Sequence, residues 1–235
     1  MLKPILKRFV GNSAWFRLTQ FKSEFRLRNT VDFWDPELGN ILSKILPPEG
    51  RYVDVGAHDG RSSSNTFGLE QRGWTGVLIE PVLSKYFRIL QLRSIHLNEI
   101  FHAACVGNDY KSESVPIMYG DLMSFSPSIS EVNQLEWIEG SKAFLNSNEV
   151  NVLTYSPART LNSILAVTNF SYFDFLSIDV EGAEKEVLRG LDLDAFQFGV
   201  ICIEAVSGEY VEEHLGKYNY KLIARCKQNF IFARN

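Results

Sequence analysis

The chain has 235 residues, 45% hydrophobic and 22% charged, which suits one globular domain with an ample core. Its formal net charge of −4 argues against a dedicated nucleic-acid binder, because such proteins usually carry a basic excess. The three cysteines form no C-x-x-C pair and no apolar run approaches the roughly 18 residues of a membrane span, so we expect a cytoplasmic protein without a zinc site or disulfide framework.

Residues 1–48 are expected to form a basic helical extension ahead of the main domain. Residues 1–30 contain seven lysines and arginines against Glu24 alone, mixed with apolar runs such as "ILKRFV". Such a segment can lie on a membrane surface as a basic amphipathic helix, or it can pack on the domain with its charges in solvent. The sequence leaves both alternatives open, so localisation is predicted as cytoplasmic with membrane association as an alternative.

The stretch "DPELGNILSKILPP" predicts the first well-delimited helix. Asp35 is suited to cap its N-terminus, Pro36 to occupy the first turn, and Pro47 to end it.

From residue 51 onward, short apolar runs alternate with helical patterns. This alternation predicts a mostly parallel sheet with helices on both faces, and the last two runs predict an antiparallel hairpin at one edge. The predicted strands are "RYVDV", "TGVLIE", "IFHAACV", "FDFLSIDV", "GVICIEA", "YKLIARC" and "NFIFAR". The predicted helices are "RSSSNTFGLEQRG" from about Ser62 to Gly73, "SKYFRILQLRS" capped by Ser84, "RTLNSILAV", "EGAEKEVLRGL" ending at Gly190, and "GEYVEEHLGKY".

Residues 108–157 interrupt this rhythm. "SVPIMYG" and "VNVLTYS" read as strands and "SISEVNQLEWIEG" as a helix. An excursion of this length is typical of a lid or a substrate-recognition insert. Within it, Tyr119, Phe125 and Trp137 suit either an acceptor platform or the insert's own core.

The stretch "YVDVGAHDG" follows the first predicted strand, where open α/β sheets bind ligands. Gly56 lets the backbone turn sharply and lets a ligand approach closely. Glu80 ends the next strand, where an acid can accept hydrogen bonds from ribose hydroxyls. The spacing is G-x-x-x-G rather than G-x-G-x-x-G, and Asp59 would repel a phosphate. S-adenosylmethionine, which carries positive groups and no phosphate, therefore fits better than a dinucleotide.

A second acidic strand end occurs in "FLSIDVEGAEKEVLRGL". Asp179 ends a buried strand at the same rim, where it can anchor the ammonium of the cofactor, hold a metal ion or deprotonate a substrate. Glu181 is a further candidate, whereas Glu184 suits a structural role at a helix N-terminus. Glu204, which ends "VICIE", is a third rim carboxylate with structural and functional alternatives.

Several runs together resemble the FkbM-type S-adenosylmethionine-dependent methyltransferases. They are "VDVGAHDG…SNT…LE…GWTGVLIEP", "HAACVG", "FDFLSIDVEGAEKEVLRGLD" and "YKLIARCKQNFIFAR", which together span about residues 50–233. The resemblance implies a Rossmann-like class I fold over residues 49–235, with a seven-stranded sheet whose last strand is reversed. It also implies methyl transfer, typically to a hydroxyl oxygen of a sugar, glycan or natural product, with S-adenosylhomocysteine as the by-product.

The resemblance also assigns roles to individual residues. It places Ala104 and Cys105 at the adenine-side strand end, and one departure is Asn162, where relatives often carry an acid. The predicted cofactor-binding residues are Asp54, Gly56, His58, Asp59, Glu80, Pro81, Ala104, Cys105 and Asp179.

The expected mechanism places an acceptor hydroxyl in line with the activated methyl group while a base takes its proton. The candidate bases are Asp179, His58 and Glu181. Carboxylates such as Asp179 also suit Mg²⁺, but no second motif signals a metal. The expected partner is a small-molecule or glycan acceptor and not a nucleic acid, and the oligomeric state is not signalled.

Two other classes of function stay open at this point. One is a nicotinamide-dependent oxidoreductase on a similar sheet, which the glycine spacing disfavours. The other is a non-catalytic module of the same fold that binds a partner or a membrane through residues 1–30.

Overall fold

The computed structural model describes residues 35–234. Most of the predicted N-terminal extension, including the segment for which membrane contact is an alternative, lies outside this range. No helix within residues 35–234 is both long enough and apolar enough to cross a membrane.

Helices and strands alternate along the described chain as the sequence predicts. The helices are α1 (Pro36–Ile45), α2 (Phe67–Glu70), α3 (Leu83–Leu92), α4 (Gln134–Ser141), α5 (Leu161–Leu165), α6 (Glu184–Arg189) and α7 (Glu209–Gly216). The strands are β1 (Arg51–Val55), β2 (Thr75–Glu80), β3 (Asn98–His102), β4 (Ala104–Cys105), β5 (Ser114–Tyr119), β6 (Val152–Arg159), β7 (Tyr172–Ile178), β8 (Gln197–Glu204), β9 (Tyr220–Cys226) and β10 (Asn229–Arg234). A single 3₁₀ turn spans Asp121–Met123.

The main sheet has seven strands in the order β3-β2-β1-β7-β8-β10-β9. The first five are parallel, while β10 runs antiparallel to both β8 and β9. The predicted fold class is confirmed: a mostly parallel seven-stranded sheet whose last strand is reversed. Since β10 lies between β8 and β9, the predicted hairpin occupies the edge with β9 outermost.

Both faces of the sheet are covered, as near-continuous apolar strands require. Within β1 the side chains alternate, so that Tyr52 packs on one face while Val53 and Val55 pack on the other. On the Tyr52 face, α1 contributes the buried Leu38 and Leu42. As predicted, α1 is capped by Asp35, whose carboxylate accepts a hydrogen bond from the Glu37 amide, and Leu46 follows its last residue.

A buried polar cluster stabilises the Tyr52 face of the sheet. The Arg93 side chain, which is 0% exposed, forms an ion pair with Glu70. Arg93 also donates to the Tyr52 hydroxyl and, at 2.8 Å, to the Gly60 carbonyl. This pairing compensates the cost of burying the two charges. The cluster joins β1, α2 and the end of α3, and the local sequence carries no sign of it.

The helix predicted from Ser62 begins five residues later, at Phe67. Ser63 has φ +57°, a left-handed conformation that a helix does not accept. The Asp59 carboxylate accepts hydrogen bonds from the Arg61 and Ser62 amides and so stabilises a turn there. The serine-rich stretch is therefore a loop, and the predicted helix start was wrong.

Two other sequence expectations differ from the structure. Ser84 does not cap α3, because α3 begins at Leu83 and the Val82 amide donates to the Glu80 carboxylate instead.

The run "IFHAACV" is two strands rather than one. At Ala103 the chain leaves the main sheet, and β4 pairs with β6 in a second sheet.

The excursion after β4 contains the two predicted strands and the predicted helix, which begins at Gln134 rather than at Ser128. In the small sheet, with order β4-β6-β5, β5 and β6 are antiparallel. Val115 and Ile117 of β5 are buried and pack with Val82, Ala104 and Val106 of the main domain. This packing holds the excursion, called the insert below, over the carboxyl ends of β1 and β2.

The ends of β1 and β7 lie in direct contact. The Asp179 amide donates to the Val55 carbonyl at 3.0 Å. Gly56 has φ +87°, and a Cβ on it would lie 1.7 Å from the Asp179 carbonyl oxygen. Only glycine fits this crossing without moving the backbone.

We expect Gly56→Ala to lower the free energy of unfolding by at least about 3 kcal/mol, because it adds a backbone overlap to the strain of a positive φ. The matched control is Gly73→Ala. Gly73 has φ +90° but no atom within 4 Å of an added Cβ, so it reports the strain alone, about 1–2 kcal/mol. Urea unfolding followed by circular dichroism measures both variants. Equal losses would show that the Asp179 carbonyl does not constrain this position.

Candidate active site

A cavity lies at the carboxyl ends of β1, β2 and β7, beneath the insert. All the predicted site residues line it except Asp59. The predicted residues that the structure brings together are Asp54, Gly56, His58, Glu80, Pro81, Ala104, Cys105, Asp179 and Glu181.

Backbone hydrogen bonds join the turn after β1 to β2. The Gly56 and Ala57 amides both donate to the Ile79 carbonyl, at 3.0 and 3.1 Å. The close approach that requires glycine at position 56 comes from the Asp179 carbonyl rather than from a ligand. The glycine therefore serves the site by joining two strand ends.

Glu80 is held at the end of β2 by two backbone amides. Its two carboxylate oxygens accept from the His58 and Val82 amides, both at 2.8 Å. Burial raises the pKa of Glu80 to about 7, although the nearby His58 and the two amides favour the charged form. Each oxygen keeps a further lone pair that can accept a hydrogen bond from a ligand hydroxyl.

Asp54 lines the cavity from within β1 and is 4% exposed. Its carboxylate accepts a hydrogen bond from the Thr66 hydroxyl at 2.5 Å. Burial raises the Asp54 pKa, against the effects of Thr66 and the nearby Arg93 charge. Asp54 thereby links the cavity to the buried cluster around Arg93.

Asp179 is the least satisfied acid of the site. Its carboxylate has no hydrogen-bond partner among residues 35–234, and the residue keeps part of its surface open to the cavity. Burial raises the Asp179 pKa well above its ordinary value, and the charges of Glu204, Glu181 and Glu184 raise it further. A carboxylate whose charged neighbours are acids is a favourable place for a bound cation.

Glu181 faces the same cavity from the turn before α6, with φ +50°. One of its oxygens accepts from the Trp137 indole nitrogen of α4 at 3.0 Å. Burial raises the pKa of Glu181 to about 7, with the neighbouring acids adding to the shift and Trp137 opposing it. A carboxyl group with this pKa can take up a proton near neutral pH.

The other two acids of this region lie outside the cavity lining. Glu184 accepts a hydrogen bond from the Gly182 amide at 2.9 Å, a contact that stabilises the turn before α6. Glu204, at the end of β8, accepts one from the Asn229 amide group at 3.4 Å.

His58 connects the glycine turn to the insert. Its Nε2 lies 2.8 Å from the Asp121 carboxylate, which also forms an ion pair with Lys85 of α3. Its Nδ1 is buried, has no hydrogen-bond partner among residues 35–234, and lies 3.6 Å from the Asp59 carboxylate. Burial by itself would lower the His58 pKa, but Asp121 and Asp59 outweigh it and raise the pKa.

Asp59 itself belongs to the loop rather than to the cavity. Its carboxylate accepts from the Arg61 and Ser62 amides at 2.9 and 2.6 Å and from the Ser62 hydroxyl at 2.7 Å. Burial opposes its ionisation, yet His58 and Ser62 together lower the Asp59 pKa. The structure gives Asp59 a part in shaping the turn, and its predicted cofactor contact stays a prediction.

Asp121 is the main site residue that the sequence analysis missed. It lies in the insert, directly after β5, with φ +56°. In the sequence, only the adjacent Gly120 marks this position, and a glycine–aspartate pair is too common in turns to indicate a site. The aromatic residues of the insert were predicted to form either an acceptor platform or the core of the insert. Phe125 is buried and lines the cavity, while the Tyr119 hydroxyl donates to Glu149 within the insert.

The remaining lining is uncharged. Ile79, Ala104, Cys105 and Ile117 form an apolar wall, and burial raises the pKa of the Cys105 thiol to about 12. Among residues 35–234, no group of three or more His, Cys, Asp or Glu side chains is arranged to hold a metal ion.

The sequence profile of the methyltransferase FkbM domain matches residues 54–223. The chain therefore belongs to the FkbM methyltransferase family. This match confirms the resemblance inferred from the sequence motifs, and it supports S-adenosylmethionine as the cofactor.

Solved structures with a similar arrangement are distant in sequence. A T. thermophilus 16S rRNA methyltransferase, solved with AdoMet and guanosine, is 12% identical with a TM-score of 0.44, covering 88% of this chain and 44% of its own. A TehB-like SAM-dependent methyltransferase from Corynebacterium glutamicum is 12% identical with a TM-score of 0.39, covering 83% of this chain and 86% of its own. No curated protein matches this chain.

We expect the His58 imidazole to titrate above its ordinary pKa of about 6.5, and Asp121→Asn to lower that pKa. Because the folded-state pKa is raised, the stability that His58 contributes is present below pH 6.5 and is lost as the pH rises through the folded-state pKa. NMR titration of the imidazole nitrogens measures the shift. His214, whose pKa is lowered by burial and by Lys217, is the internal control. A His58 curve unchanged by Asp121→Asn would contradict the ion-pair assignment.

Proposed function

We propose that this chain is an S-adenosylmethionine-dependent methyltransferase that methylates a hydroxyl oxygen on a sugar, glycan or natural-product acceptor. The observation that carries the proposal is the Asp179 carboxylate. It borders the cavity without a hydrogen-bond partner among the described residues, and the charges that shift its pKa are all those of neighbouring acids. A ligand with an ammonium group would supply the missing counter-charge.

The lining of the cavity fits this cofactor in its chemistry. Glu80 can accept hydrogen bonds from the two ribose hydroxyls, and Asp179 can hold the ammonium group. The apolar wall that includes Ala104 and Cys105 suits the flat adenine ring. No lysine or arginine of the described chain lines the cavity, so nothing there favours the pyrophosphate of a dinucleotide.

When bound, S-adenosylmethionine would supply a methyl group attached to a positively charged sulfur. The sulfur would keep the electrons of the broken bond and become uncharged, which leaves S-adenosylhomocysteine as the by-product. The protein then has to position the acceptor oxygen and remove its proton.

Glu181 is the proton acceptor in this proposal. It borders the cavity, its pKa is about 7, and one of its carboxylate oxygens is fixed by Trp137. The other oxygen is available to take the hydroxyl proton as the new oxygen–carbon bond forms. His58 is less suited, because Asp121 occupies its Nε2 and its Nδ1 is buried. We assign His58 to positioning the glycine turn against the insert.

The other functions that the sequence left open are no longer equally well supported. The family match disfavours the nicotinamide-dependent oxidoreductase, and no feature of the cavity supports it. The non-catalytic module, the membrane contact of residues 1–30 and the cytoplasmic location stay predictions.

We expect Asp179→Asn to weaken S-adenosylmethionine binding about 10- to 100-fold, the effect of losing one charge-assisted hydrogen bond. The substitution keeps the size of the side chain and breaks no hydrogen bond within the described residues. Glu204→Gln is the control, since it removes an acid of the rim that lies outside the cavity lining. Because the Glu204 charge raises the Asp179 pKa, its removal favours the ionised Asp179 carboxylate and should not weaken binding; equal weakening in both variants would contradict the role of Asp179. Isothermal titration calorimetry measures both variants.

Wild-type protein that fails to bind S-adenosylmethionine would overturn the cofactor assignment. A change in NADH fluorescence on titration with the protein would favour the oxidoreductase instead.

We expect Glu181→Gln to lower kcat by about 10²–10⁴-fold, the usual contribution of a general base, with cofactor affinity nearly unchanged. With its pKa near 7, the wild-type rate should rise with pH through about 7, and the variant should lose this step. Mass spectrometry of methyl transfer measures the rates with an acceptor found in a screen. A variant that keeps the pH step would exclude Glu181 as the base.

A further inference from the structure

We infer that the acceptor is a polyhydroxylated molecule that carries no phosphate or carboxylate, so that it is either neutral or an amine. The inference rests on the proposed function and narrows its substrate class. It excludes sugar phosphates and nucleotide sugars, which are common forms of sugar acceptors.

The cavity is lined by acidic side chains. Its lining has five carboxylates and, within residues 35–234, neither lysine nor arginine. The five acids are Asp54, Glu80, Asp121, Asp179 and Glu181.

The available cations compensate only part of this charge. Lys85, from outside the lining, and His58, within it, both pair with Asp121, and the bound cofactor would add a net positive charge beside Asp179. Glu181 would keep only the neutral indole of Trp137 as its partner. An anionic acceptor would therefore meet unpaired acid, while His58, the one cationic side chain among the described lining residues, is already paired with Asp121; such an arrangement discriminates between ligands of opposite charge.

The neighbouring acids already repel one another. The charges of Glu204 and Glu184 raise the pKa of both Asp179 and Glu181, in addition to the effect of burial. The same charges would act on a phosphate placed in the cavity, where low solvent access strengthens the repulsion. An amine or a neutral molecule avoids this cost.

The cavity is also lined by neutral hydrogen-bonding groups. Ser124, Ser126 and Ser130 line the insert side of the cavity, and Ser62, Ser63, Ser64, Asn65 and Ser177 line the main-domain side. A hydroxyl both donates and accepts without a charge, which matches the hydroxyl groups of a polyol or sugar.

Ser130 shows how such a group stays available. Its hydroxyl oxygen accepts from the Ser126 amide at 3.0 Å, which leaves its own proton free to be donated. Ser62 and Ser124, by contrast, donate their hydroxyl protons to Asp59 and to the Asp121 carbonyl. The lining therefore offers a smaller number of neutral groups, Ser130 among them, that can bond the hydroxyl groups of a ligand.

The test uses the full chain saturated with S-adenosylhomocysteine. Saturation-transfer NMR compares methyl hexopyranosides, hexosamines and hexose 6-phosphates of matched stereochemistry as probes. We expect the neutral and amine probes to bind at least about tenfold more tightly than the phosphates, with a difference that shrinks as salt screens the acids. Phosphates that bind equally or more tightly would overturn the inference, and so would a failure of every neutral and amine probe to bind.

A pair of variants tests the electrostatic cause. Ile129→Lys places a cation in the cavity lining and should shift the affinity ratio at least about tenfold toward the phosphates. Leu135→Lys makes the same charge change on α4 of the insert at a residue that is 80% exposed, and should leave the ratio unchanged. Equal shifts in both variants would show that the cavity acids do not set the preference.

The comparison of probes on the wild-type protein stands even if Ile129→Lys does not fold. Calorimetry with S-adenosylmethionine separates the two proposals. If the cofactor does not bind, the proposed function fails. If it binds and the phosphates are preferred, only the present inference fails.

Discussion

The site depends on the parallel pairing of β1 with β7. This pairing brings the backbone after β1 against the backbone after β7, so that the Asp179 amide bonds the Val55 carbonyl and the Asp179 carbonyl lies against Gly56. Two turns that are about 120 residues apart in the chain thereby face one cavity. Glu80 joins them because β2 is the other neighbour of β1.

The insert completes the cavity through a small number of directed contacts. Asp121 reaches His58, Trp137 reaches Glu181, and the Glu131 amide donates to the Gly182 carbonyl at 2.8 Å. His58, Asp121 and Glu181 all have positive φ without being glycine, a conformation that costs free energy. Strained residues with fixed partners are typical of functional sites, where the side chains must be oriented before the ligand arrives.

The sequence allowed most of the fold to be predicted, because apolar periodicity and strand–helix alternation are local properties. It failed where a side-chain contact with the backbone, or a strand elsewhere in the chain, decided the local structure. The helix start near Ser62 moved because Asp59 stabilised a turn, and the Ser84 cap was displaced by Glu80. The break at Ala103 depended on β6, which follows some fifty residues later.

By itself, the sequence determined the order of elements, the acids at the strand ends and the family, since each depends on residue type and spacing. The tertiary structure decided which of those acids share a cavity and which of them keep a partner. Asp179 and Glu204 look alike in the sequence, as carboxylates that follow apolar runs. In the structure, Asp179 faces the cavity and its carboxylate has no hydrogen-bond partner among residues 35–234, whereas Glu204 bonds Asn229. The reason is that charge and hydrogen bonding depend on neighbours that only folding brings together.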